Sequence, residues 1–193
     1  MSKQITYIGL IILSILSFVS CKSDARIEKV NVQAEISALK SNDLKTEYLE
    51  NIFYEFQNIL NEEDFTIRKF GQNSEEHISF IKKKVKEEKI YLDRVEAYFN
   101  TYGYPSRTTH GQYAAIAPLV VYFYASENKG FKKEHFKYFY GAYRFNDIPS
   151  DFFLAYLRVF YEIENGKTFN LQKNMESVDD EIEEILSSMG YEY

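Results

Sequence analysis

The stretch GQYAAIAPLVVYFYAS, from Gly111 to Ser126, carries no charged side chain and is apolar at nearly every position. Its apolar residues do not alternate with polar ones as in a half-buried strand, so the stretch predicts a helix buried nearly all round. Pro118 complicates it: proline lacks an amide donor and its ring crowds the preceding turn, so the helix either kinks at Pro118 or has its first turn there. A helix apolar on all sides needs other elements to cover it. That requirement decides the fold class, an all-α bundle with this helix at its centre.

The covering elements are legible on both sides. Leu49, Ile52, Phe53, Phe56, Ile59 and Leu60 form one stripe of an amphipathic helix over residues 36–63. Asn73 and Ser74 can cap the next, whose buried side is read as Ile78, Ile81, Val85, Leu92, Val95 and Phe99 and which ends near Tyr102, before Gly103. After the central helix come one over residues 132–143, another with Pro149 at its first position that runs to Glu164 and stops at Asn165-Gly166, and a last one over residues 178–189 between Ser177 and Gly190. Nothing in composition divides them, so residues 36–193 are expected to form a single compact bundle of about six helices. Of the 17 tyrosines and 16 phenylalanines, 20 lie between Tyr98 and Tyr161, which places the core there and requires hydrogen-bond partners for buried phenols.

Upstream of the bundle, Lys3 precedes an uncharged run from Ile5 to Val19, then small Ser20 and Cys21. A positive start, an apolar segment too short for the roughly 20 residues of a spanning helix, and a small residue before the cleavage point are the layout of a signal peptide. Phe18-Val19-Ser20-Cys21 resembles a bacterial lipobox, with Phe18 where leucine is usual. The resemblance implies cleavage after residue 20 and a Cys21 that carries acyl chains. An uncleaved anchor and a plain secretory signal with an incidental cysteine are the competing readings. Lys22, Ser23 and Asp24 loosely resemble a lipoprotein surface-export signal, but a polar tether over residues 21–35 is preferred.

Cys21 is the only cysteine, so no internal disulfide can form. The chain has a formal net charge of -6, and losing Lys3 with the leader makes it more acidic. With no polybasic segment after Cys21, nucleic acid is not an expected partner and membrane attachment rests on acyl chains, about 0.8 kcal/mol per buried methylene. The expected location is the cell envelope, tethered by lipid, most naturally to the outer membrane.

Tyr102-Gly103-Tyr104-Pro105, Gly111, Ala114-Ala115-Ala117, Ala125, Ala155-Tyr156-Leu157-Arg158 and Gly166-Lys167 follow one another in an order that resembles an uncharacterised bacterial domain family. That family is marked by a Gly-Trp-Pro turn, an alanine-rich helix ending in His-Ala, an Asp-Arg pair and Gly-Lys. Asp64 and Arg68 match the acidic and arginine positions of its first helix, and the likeness covers residues 50–190. Tyr104 stands in place of its tryptophan, Tyr124 of its histidine and Leu157 of its aspartate. The resemblance implies a helical fold and supplies no reaction.

Among local segments, Arg107-Thr108-Thr109-His110 enters the central helix as a polar loop. Free amides at a helix start can bind an anion, Thr109 can cap, Arg107 can pair with a carboxylate or phosphate, and His110 can exchange a proton near neutral pH. A loop that only satisfies the helix's own donors is the plainer account. Arg158, set among aromatic and aliphatic residues, is expected to point into the bundle and pair with Asp64 or another carboxylate, either shaping a pocket or making an ordinary bridge. His77, His110 and His135 are scattered, so no metal site is expected, and no cofactor motif is present. The Lys82–Lys89 run reads as a solvated face with intrahelical pairing, and the Asp179–Glu184 run as negative charge favoured at a helix start.

Three functions follow as expectations. The first is a non-catalytic module that binds a small ligand or an envelope protein. The second is an envelope hydrolase using His110 with Arg107 or Arg158. The third is protection against a neighbour's secreted toxin.

Overall fold

Serine side chains cap three of the helices. Ser41 Oγ accepts from the Leu44 amide at 3.2 Å, Ser74 Oγ from His77 at 3.1 Å and Ser177 Oγ from Asp180 at 3.1 Å, each satisfying a donor that a helix's first turn leaves without a partner. Asn31 does the same for Ala34. The computed structural model describes residues 31–125, 133–170 and 177–191. Residues 1–30, on which the expected signal peptide, the expected acylation of Cys21 and most of the expected tether fall, lie outside the described residues.

Among the described residues there are no strands, and the chain is an all-α bundle of α1 (Val32–Ala38), α2 (Asn42–Phe70), α3 (Glu75–Tyr102), α4 (Arg107–Tyr124), α5 (Lys133–Arg144), α6 (Ser150–Asn165) and α7 (Val178–Ser188). The helix predicted over residues 36–63 is two helices. Ser41 starts a new one after the break at Leu39–Lys40, and α1 begins inside the stretch read as tether. Pro149 is the N-cap of α6 rather than its first helical residue, and Gly166 closes that helix in the left-handed conformation. No described helix is long and apolar enough to cross a membrane.

The predicted central helix is α4. It runs along α2 and also touches α3 and α6, and every residue from Ala114 to Tyr122 is buried. Its interruption is at Gly111 (φ 81°, ψ 174°), not at Pro118, where the backbone stays helical. That combination of angles is open essentially to glycine alone. The Tyr104 hydroxyl donates to the Ala115 carbonyl at 2.7 Å.

Aromatic rings fill the core. Phe99 of α3 lies within ring contact of Tyr104, Tyr122, His135, Tyr138 and Phe139, and Phe139 meets Tyr156 at 4.5 Å between centroids. Two of the phenols find partners: Tyr122 Oη lies 2.8 Å from His135 Nδ1, and the half-buried Tyr102 donates to the Ile36 and Leu39 carbonyls at 2.9 and 3.1 Å. The last pair ties α1 to the far end of α3.

One face differs from its prediction. Ile78, read as buried, is 50 % exposed, whereas His77, Lys84 and Glu88 are buried on the same side as Leu92, Val95 and Phe99. The first half of α3 is thus turned by about one residue, and part of the Lys82–Lys89 run faces the interior. Glu63 of α2 explains the turn. Its carboxylate meets Lys84 Nζ at 2.5 Å, and Glu88 meets the same ammonium at 3.4 Å, so the lysine is buried in company. Lys83–Glu87 and Lys89–Asp93 do pair within the helix and stay exposed.

Candidate functional site

The loop entering α4 is organised by a residue the sequence did not point to. Asp147, in the connection between α5 and α6, accepts from the Arg107 amide at 2.7 Å. A carboxylate from the chain itself therefore occupies the helix start that was read as an anion site, and the favourable end of the dipole with it. Ser106 is the N-cap residue but makes no side-chain bond there. Thr109 does not cap; it lies in the first turn with its side chain exposed, as does Arg107.

His110 is half-buried. Its Nδ1 is 3.3 Å from the Ser106 carbonyl, and its Nε2 is buried without a hydrogen-bond partner. The Tyr104 phenol is raised well above its ordinary pKa, first by burial and then by the charge of Asp147. It stays protonated and acts as a donor.

Arg158 does not point into the bundle, and its partner is not Asp64. Its side chain is 53 % exposed and grips Glu181 of α7 through Nε and Nη2, both at 2.7 Å. This fork joins α6 to α7 in the bidentate geometry that suits guanidinium and carboxylate. Asp64 pairs with Arg68 one turn away on the exposed face of α2. Arg107 and His110 share the first turn of α4, whereas Arg158 is engaged on α6 and Asp64 on α2, and among the described residues no hydrogen bond or ion pair joins any two of the four.

A groove that sequence reasoning missed lies between α4 and α6. Its walls are Leu119, Val120 and Phe123 from α4 with Phe152 and Ala155 from α6; Tyr124 and Asp151 complete it, around a hollow of about 220 Å³. The α4 positions recur at one and four residues, as do those of α6, so each helix contributes a single face. Tyr124 and Phe152 remain 47 % and 42 % exposed. Large aromatics left half in water beside a hollow are the signal of an incomplete surface. In sequence they were indistinguishable from the core aromatics around them. A second hollow of about 180 Å³ lies between Lys133, Glu164 and Tyr191, with the Lys133–Glu164 ion pair at 3.1 Å in its wall.

Tyr104, Tyr124 and Leu157, the departures noted in the sequence comparison, fall in different settings. Tyr104 bonds inside the bundle, Leu157 is wholly buried, and Tyr124 stands at the groove. No family model, curated protein or solved structure matches this chain. Among the described residues no cluster of His, Cys, Asp and Glu is arranged to hold a metal ion.

Proposed function

We propose that this chain is a lipid-tethered, non-catalytic module of the bacterial cell envelope that holds a small ligand in the groove between α4 and α6. The observation that carries the reading is the groove itself. It is concave and mostly apolar, with one charged group among the described residues, and two large aromatics, Tyr124 and Phe152, stay about half exposed at it. The tether rests on Lys3, the apolar run to Val19, and Ser20-Cys21. The hydrolase alternative needs His110 to work with Arg107 or Arg158, and it draws less support because Arg158 is held by Glu181 and the helix start by Asp147.

Two measurements test the proposal. Metabolic labelling with a radioactive fatty acid and membrane fractionation should both lose their signal in Cys21→Ser; unchanged labelling overturns the tether. A fragment screen by nuclear magnetic resonance on the full chain should give hits that shift Phe123, Tyr124 and Phe152. Hits that shift His110 instead, with turnover abolished by His110→Ala, would replace the binding module with the hydrolase.

A further inference from the structure

Among the described residues Asp151 is the only charged one lining the α4/α6 groove, and it makes no hydrogen bond or ion pair with any of them. An unpaired carboxylate beside two half-exposed rings, Tyr124 and Phe152, selects by charge. An anion meets repulsion there, and a neutral apolar body gains only burial. A cation gains both the carboxylate and the negative faces of the rings. Size narrows the choice further. A hollow of about 220 Å³ exceeds the ~150 Å³ that accommodates benzene and falls short of the ~300 Å³ at which drug-sized sites begin. A macromolecular partner would engage about 20–30 residues a side, and far fewer line this groove.

We infer that the groove binds a small organic cation with an apolar body of about one ring, an aryl- or alkylammonium, its ammonium at Asp151 and its body against Leu119, Val120 and Phe123. The inference rests on the groove being the ligand site and adds the chemical class of the ligand. Asp151 sets the charge preference, and the aromatic and aliphatic wall sets the size.

The test uses the full chain in lipid nanodiscs, with empty nanodiscs as the blank, and follows fluorine resonance line widths of three matched probes. These are 4-fluorophenethylammonium, 2-(4-fluorophenyl)ethanol and 3-(4-fluorophenyl)propanoate. The ammonium should bind at least about tenfold more tightly than the alcohol, and the propanoate least. Asp151→Asn, an exposed and nearly isosteric change, should remove most of the ammonium's advantage over the alcohol, leaving the part supplied by the ring faces, and leave the alcohol where it was, at unchanged helicity. Equal binding of ammonium and alcohol to the unmodified chain overturns the inference while leaving the groove as a ligand site. An ammonium advantage over the alcohol that is undiminished in Asp151→Asn also overturns it. Failure of all three probes, with fragment hits mapping away from Phe123 and Phe152, overturns the inference and the groove together.

Discussion

Lys84 Nζ of α3 lies 2.5 Å from Glu63 Oε2 of α2, with the lysine 6 % exposed and its second partner, Glu88, 2 % exposed. His77 completes the group. Its Nδ1 is 2.6 Å from the Gln72 carbonyl, which can only accept, so Nδ1 carries the proton and Nε2 faces Glu63 at 3.7 Å. Removing one member of a buried ion pair strands the others in low dielectric, at about 3–5 kcal/mol. Lys84→Met should therefore lower the unfolding free energy by roughly 3 kcal/mol, the low end, because Glu63 reaches water. Replacing Glu63, Lys84 and Glu88 together by Leu, Met and Leu should restore most of that loss. Urea unfolding followed by circular dichroism measures both, and a triple variant no more stable than Lys84→Met would contradict the account.

Phe99 touches five other rings from three different parts of the chain. Truncating a buried phenylalanine removes transfer energy and leaves a cavity, together about 3–5 kcal/mol. Phe99→Ala should show that loss, and Phe99→Leu a clearly smaller one. The peripheral Phe145→Ala, at 82 % exposure, should stay within ~0.5 kcal/mol of the unmodified protein.

Gly111 and Asp147 hold the start of α4 by different means, one through backbone conformation and the other through a cap. An added Cβ at Gly111 would meet nothing within 4 Å, so Gly111→Ala should cost only backbone strain, about 1–3 kcal/mol. Asp147→Ala should cost about 1 kcal/mol. The two should add to less than their sum if each loosens the same turn. Amide hydrogen exchange at residues 107–112 reports the loosening directly, and full protection in Asp147→Ala would show the cap to be idle.

Burial raises the Tyr98 phenol from its ordinary value near 10 to about 12, with the nearby Tyr102 adding to it. Tyr48, Tyr91, Tyr122 and Tyr156 are pushed up in the same direction, again by burial first. A phenol is neutral when protonated, so the unfolded chain gives up its protons at lower pH than the folded one. The stability these groups supply is complete below pH ~10 and falls as pH rises through the folded values. Melting temperature should therefore hold from pH 8 to 10 and drop steeply from 10 to 12. Tyrosinate absorbance near 295 nm should rise together with unfolding, and a large rise before unfolding would contradict the burial of these rings. Tyr98→Phe should soften the drop.

What the sequence determined by itself was local: the all-α class, the serine caps at residues 74 and 177, the glycine stops at 103, 166 and 190, and the buried character of α4. Those features depend on residues within a turn or two of each other, so the pattern along the chain contains the whole interaction. The lipid anchor proposed at Cys21 rests on the same local kind of reading. Tertiary structure alone decided which face of α3 is buried, since Lys84 goes inside only because Glu63 arrives from another helix to offset its desolvation. It also decided that Asp147 caps α4 from 40 residues away and that Arg158 belongs to Glu181 rather than Asp64. The groove has the same origin. Tyr124, Asp151 and Phe152 are ordinary helix residues until α4 and α6 stand side by side, because a concave surface is a property of two helices and not of either one.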